Sequence, residues 1–174
     1  MTRLATSWLV YRVTKSAFLL GVVNFAGQAP AFFIPPVAGV WLDRWDRHRV
    51  LVVTQVLAMV QSLAMAGLTL TGHVNITWVV LLTLFQGIIT AIEIPTRQSF
   101  VITMIEDRRD LGNAIALNSS NFNSARLVGP AIAGVVVAAM GEGYCFLIDG
   151  LSYIAVIAGL LRSEEHTSEL QSRG

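Results

Sequence analysis

Seven polar or charged side chains crowd one otherwise apolar stretch of this 174-residue chain: Asn118, Ser119, Ser120, Asn121, Asn123, Ser124 and Arg126. At about 100° per residue, Ser119, Asn123 and Arg126 fall with Pro130 on one narrow helix face. A guanidinium held among amides and hydroxyls binds an anionic group, or pairs with an acid from a neighbouring helix. That face is the best candidate for lining a cavity. Asn24 and Gln28, four residues apart, are plausible companions. Asp149 could line the same path or pair with Arg126. Gln55, Gln61 and Ser62 read more simply as hydrogen bonds between helices.

A second cluster has a mechanical character. Gly39-Val-Trp-Leu-Asp43-Arg44-Trp-Asp-Arg47-His48-Arg49 places a small residue four before an Asp-Arg pair, then a short basic loop. Gly39 lets a neighbouring helix approach closely. Asp43 can accept from the N-terminus of a partner helix, where the dipole favours an anion. Arg44, Arg47 and Arg49 can pair with acids at nearby helix ends, and Glu93, followed by Pro95 and Arg97, is placed to be one of them. Such a cluster, made in one conformation and broken in another, is a latch.

Other chemistry is missing. There is no Gly-rich phosphate loop ending in Lys, no Gly-x-Ser-x-Gly elbow and no His-Glu-x-x-His pair. His48, His73 and His166 lie far apart, and a lone Cys145 supports neither a disulfide framework nor a cysteine-rich zinc site. An enzyme, a cofactor and a metal centre are therefore not expected.

The elements that must hold these residues follow from composition. Hydrophobic residues make up 54% of the chain, charged residues 13%, and the mean hydropathy is +0.63. Soluble domains carry about 25% charge, so a disordered or nucleic-acid-binding chain is excluded. A helix needs about 20 predominantly apolar residues to cross a bilayer. Residues 17–42, 50–71, 76–95 and 113–140 meet that length, and residues 144–161 come close. Residues 1–13 are too short and read as the end of a further helix. No ten-residue alternation suggests a barrel, and no charged-then-apolar order suggests a signal peptide. The expected fold is an all-α integral membrane protein with about five full spans.

The connections orient it. Arg44, Arg47 and Arg49 follow the first full span, and Arg97, Arg108 and Arg109 follow the third, whereas residues 72–75 and 141–143 hold no Lys or Arg. By the positive-inside rule the basic bends are cytoplasmic. Arg12 and Lys15 then fall on the outer side, against the rule. Beyond Arg162 the apolar composition stops. Residues 162–174 resemble the reading-frame translation of a sequencing-library adapter, so residues 1–161 are expected to be the native part of a gene fragment.

The loop from Gly39 to Arg49 resembles the Gly-x-x-x-Asp-Arg-x-Gly-x-(Arg/Lys)-(Arg/Lys) motif between helices 2 and 3 of the major facilitator superfamily, with Asp46 in place of the second Gly and His48 in place of a basic residue. Variants of this kind are familiar in the branch that includes the enterobactin exporter and macrolide-efflux-like proteins. Arg126-Leu-Val-Gly129-Pro130-Ala-Ile-Ala-Gly134 is similar to the Gly-Pro-x-x-x-Gly signature of helix 5 in exporters of that superfamily. Pro130 should bend its helix, and Ala125, Gly129 and Ala133 form a small-residue stripe suited to close packing.

The resemblance covers residues 1–161 and implies most of the N-terminal six-helix half of a transporter. It also implies efflux of a small hydrophobic or amphipathic compound or a siderophore by alternating access, as an antiporter using protons, from a bacterial inner membrane. The partners implied are a small-molecule substrate, the lipid bilayer and a missing C-terminal half; without that half the chain should not transport. Thr83 stands where many proton-coupled relatives carry Arg in an Arg-x-x-Gln-Gly motif, so Glu93 or Asp149 would have to titrate. The rival reading is a non-transporting membrane scaffold or assembly protein.

Overall fold

A computed structural model describes residues 2–34, 46–103 and 111–172, and every regular element in them is helical. The helices are α1 (Thr2–Thr14), α2 (Ala17–Gln28), α3 (Arg47–Leu70), α4 (Ile76–Thr103), α5 (Leu111–Met140) and α6 (Glu142–Ser172). After a turn at Ala29 the chain is helical again over residues 30–34. Five of these stretches are long and apolar enough to cross a membrane, and α1 is the short sixth. The all-α membrane architecture expected from composition is the one observed. Gly39, Asp43 and Arg44 lie outside the described residues, as does the side chain of Arg47.

Local chemistry sets the helix starts. Ser16 caps α2 by accepting from the Leu19 N–H at 3.4 Å, and Asp46 caps α3 by accepting from the His48 N–H at 3.0 Å. Each satisfies a donor that a helix leaves unpaired in its first turn. At the opposite end, Gly141 joins α5 to α6 at φ +91°, a conformation that costs glycine little. Two boundaries differ from expectation. Instead of stopping at Pro95, α4 continues to Thr103, because a membrane helix loses one backbone bond at proline and neighbours cover the exposed groups. Beside the break, the Thr96 hydroxyl donates to the Ile92 carbonyl at 2.7 Å. In addition, α6 runs on through residues 162–172 rather than ending near 161.

The helices pack as an alternating bundle. Contact is most extensive between α3 and α6, then between α3 and α4 and between α2 and α4. The α3–α6 seam is antiparallel: Leu70 lies against Gly143 and Leu63 against Gly150, while a ring nitrogen of His48 is 2.9 Å from the Leu160 carbonyl oxygen. Gln55 bonds to Glu93 and Gln61 to the Leu82 carbonyl, so α3 and α4 are antiparallel too. The start of α3 and the end of α4 therefore share one end of the bundle, the basic end. The turns at residues 71–75 and at Gly141 mark the other, the bare end.

Apolar packing is concentrated near the bare end. Leu9, Val10, Val23, Met65, Ala66, Val79, Ala133, Cys145 and Phe146 form one buried cluster with Ala5, drawn from all six helices. Most of these lie within roughly 10 Å of the bare-end termini at 1.5 Å rise per residue. There the bundle is closed.

Candidate functional site

Away from that core α3 stays packed on α4 and α6, while α5 stands across a space from α4. A cavity of about 720 Å³ opens among α1, α4 and α5, and its walls include Ser119, Asn123, Arg126 and Pro130. These are the four positions that helical periodicity places on one face of α5. Counting along α5 from Met140, Arg126 lies about 21 Å from the bare end and Ser119 about 30 Å from it. The cavity therefore occupies the basic half of the bundle. Its size suits a small-molecule ligand.

The opposite wall contributes charges. Glu93, Arg97 and Thr90 of α4 and Arg3 of α1 line the same space. Glu93 is held in place rather than free: its Oε1 accepts from the Gln55 amide of α3 at 2.8 Å and from the Arg97 guanidinium one turn on. Among the described residues, three guanidiniums thus face the cavity with one carboxylate. Intramembrane charges are costly and mark ligand or ion paths.

A second, smaller cavity of about 70 Å³ lies deeper, among α1, α2, α3 and α4. Asn24 and Gln28 line it, with Gln61, Thr83, Gln86 and Thr90. Asn24 is tied down by its own helix, its amide donating to the Leu20 carbonyl at 2.9 Å, and it accepts a long bond from Ser7. Arg3 and Thr90 border both cavities and connect them.

Asp149 belongs to neither. Its Oδ2 accepts from the Thr2 hydroxyl at 2.7 Å and the Ser62 hydroxyl at 3.2 Å, clasping α6 to α1 and α3. Gln55, Gln61 and Ser62 do make the interhelical bonds expected of them.

Among the described residues, little packs against the small-residue stripe on α5. A methyl group added at Gly129 or Gly134 would meet nothing within 4 Å, and Ala125 is exposed; Ala133 alone is fully enclosed. The close crossing is between α2 and α4. A Cβ on Gly87 would fall 2.5 Å from the Gly27 carbonyl oxygen, so only glycine fits there. The helix α5 runs on through Pro130 to Met140.

Two departures in the loop motif have local explanations. Asp46 is the α3 cap, and also lies 3.6 Å from Arg49, a pair largely in solvent. His48 reaches the Leu160 carbonyl oxygen and fastens the start of α3 to α6. The exception to the charge rule is explained as well. Arg12 Nη2 lies 3.1 Å from Glu142 Oε2, and Glu142 is only 3% exposed. An arginine standing against the rule was the available signal that an acid must sit opposite, and Glu142 was not recognised from sequence. Arg3 was missed because position along the chain says nothing about which cavity a side chain borders.

A polar cavity walled by several membrane helices and closed at one end is the architecture of a transporter half. The family model for transmembrane secretion effectors, a branch of the major facilitator superfamily, matches residues 1–172. This chain belongs to that family. It is a multi-pass membrane protein of a transporter family. The staphyloferrin A transporter of Staphylococcus aureus is 27% identical to it over 156 residues, which cover 89% of this chain and 39% of that protein. The multidrug efflux pump Tap of Mycolicibacterium fortuitum is 27% identical over 146 residues, covering 81% of this chain and 36% of the pump. The chain thus spans less than two fifths of the length of these relatives. No solved structure matches it.

Proposed function

We propose that this chain supplies one wall of a substrate path for proton-driven efflux of a small amphipathic compound or siderophore. The carrying observation is the cavity of about 720 Å³ that gathers Ser119, Asn123 and Arg126 opposite Glu93 and Arg97. Rocking of this half against a second one would expose the cavity first to the cytoplasm, at the basic end, and then to the outside. The sealed apolar cluster near the bare end corresponds to the inward-facing arrangement.

The charged residues around the basic bend act as the latch in this reading. Gly39, Asp43, Arg44, Arg47 and Arg49 hold the ends of neighbouring helices in one state and release them in the other. Glu93, already bonded to Gln55 and Arg97, exchanges partners as the latch opens, and either it or Asp149 carries the coupled proton. A packing-only scaffold has no use for a charged cavity of this size.

Cysteines at Ser119 and Asn123 test the reading. Thiol labelling that switches when substrate is added to a full-length parent supports transport, and uniform protection supports a scaffold. Expressed without a partner half in a strain lacking efflux pumps, residues 1–161 should confer no resistance. Residues 162–174 are proposed to be an appended adapter translation, which a nucleotide read of the source gene through codon 161 checks directly.

A further inference from the structure

The smaller cavity carries an unusual deficit. Among the described residues, three buried side-chain atoms, Gln61 Oε1, Thr83 Oγ1 and Gln86 Oε1, have no hydrogen-bond partner, and all three residues line it. Gln61 is 2% exposed, and its amide nitrogen is engaged with the Leu82 carbonyl oxygen at 3.3 Å, which leaves the amide oxygen over. Thr83 breaks a habit of this chain. Thr14, Thr69, Thr90 and Thr96 each donate to the carbonyl four residues back, but Thr83 does not. Its methyl is turned toward Gly27, where a Cβ would come within 2.9 Å. The α2–α4 crossing therefore leaves the Thr83 hydroxyl without the usual local acceptor.

Unpaired buried polar atoms are costly, more so where no bulk water reaches. Two amide oxygens call for hydrogen-bond donors, and the Thr83 hydroxyl can accept as well as donate. A metal or ammonium ion is disfavoured, because none of the described residues lining this space is a carboxylate and the Arg3 guanidinium borders it. A neutral donor, a hydroxyl or an amide N–H, fits the charge and the volume of about 70 Å³. Next to it, across Arg3 and Thr90, stands the larger cavity with Arg97 and Arg126.

We infer that the ligand is an organic anion that also bears a hydroxyl or amide group, its acid held by Arg3, Arg97 and Arg126 and its donor seated in the notch of Gln61, Thr83 and Gln86. Resting on the transport reading above, this names the substrate class. Arg3 is the joint between the two subsites. A hydroxyl entering the notch replaces its water hydrogen bonds with acceptors that are otherwise unpaired. A ligand of equal charge without the hydroxyl leaves those acceptors unmatched and binds more weakly.

The test is calorimetric titration of the purified 174-residue chain in lipid nanodiscs with malate, with succinate, which differs by one hydroxyl, and with the hydrophobic cation tetraphenylphosphonium. Both acids should bind and the cation should not, with malate about tenfold tighter than succinate. Gln61→Leu and, independently, Thr83→Val should bring malate down to the affinity of succinate. Arg126→Gln and Arg3→Gln should weaken both acids about tenfold and preserve their ratio. Equal affinity of the two acids overturns the notch, and preference for the cation overturns the anion class. Failure of both acids to bind a monodisperse chain that is helical by circular dichroism overturns the whole inference. Binding of both acids while labelling at Asn123 in the full-length parent never changes would count against the transport reading and leave this inference standing.

Discussion

The two ends of the bundle are built from opposite materials. Near the bare end, side chains from all six helices close into an apolar cluster around Phe146 and Met65. Toward the basic end, α5 draws apart from α4 and leaves a polar, positively charged cavity. Lipid tails are as apolar as leucine, so burial from water cannot drive membrane helices together as it does soluble ones. The bundle is held by fit, as where Gly87 meets the Gly27 backbone at mid-depth. It is also held by a few polar clasps such as Asp149 on Thr2 and Ser62. On its α5 side the wet end gives up that fit, and its polar groups line the cavity. Stability should therefore depend mainly on the dry end and ligand binding on the wet end.

Substitutions can break or sharpen this contrast. The largest effect is expected from Gly87→Leu, which places a side chain inside the Gly27 backbone contact. It should abolish a monodisperse peak in size-exclusion chromatography. Next comes Phe146→Ala, with the side chain fully enclosed. Loss of its packing should cost about 2–4 kcal/mol, read as a lower midpoint in thermal unfolding of the detergent-solubilised chain. Arg12→Ala leaves the buried Glu142 carboxylate unpaired, and should cost about 1–2 kcal/mol because the arginine itself is half in solvent. Ser119→Ala, on the exposed cavity face, should move the midpoint by less than about 0.5 kcal/mol. A loss at Ser119 as large as that at Phe146 would erase the distinction between the two ends.

The sharpest test within the wet end compares thiol accessibility. A cysteine at Asn123 should react readily with a membrane-impermeant maleimide in nanodiscs, and one at Ala66, buried in the dry cluster, should stay protected. Equal reactivity would mean that the bundle is not closed near the bare end.

Much of this was readable beforehand because it depends on short-range rules. Ser119, Asn123, Arg126 and Pro130 share a face through helical geometry alone, and they share a cavity in the structure. Gln55, Gln61 and Ser62 were expected to bond between helices, since a polar group at membrane depth needs a partner. The α4 terminus was misjudged at Pro95 because a proline that stops a soluble helix is tolerated inside a bundle. Among the described residues the α5 glycines meet no neighbour, whereas Gly27 and Gly87 make a close crossing. Glycine spacing shows where approach is permitted, and only the neighbouring helix decides whether it occurs.

Span number, the apolar faces and the two basic bends were set by the order of residues, because crossing a bilayer requires length and apolar composition and little else. Which polar groups meet was decided by the way the helices are arranged around one another. Glu142 opposite Arg12, Asp149 on Thr2, and Gln61 beside Thr83 and Gln86 at one notch join positions as much as 147 residues apart. Such meetings depend on helix crossing and rotation, which follow from the packing of whole surfaces and are not written in any local spacing.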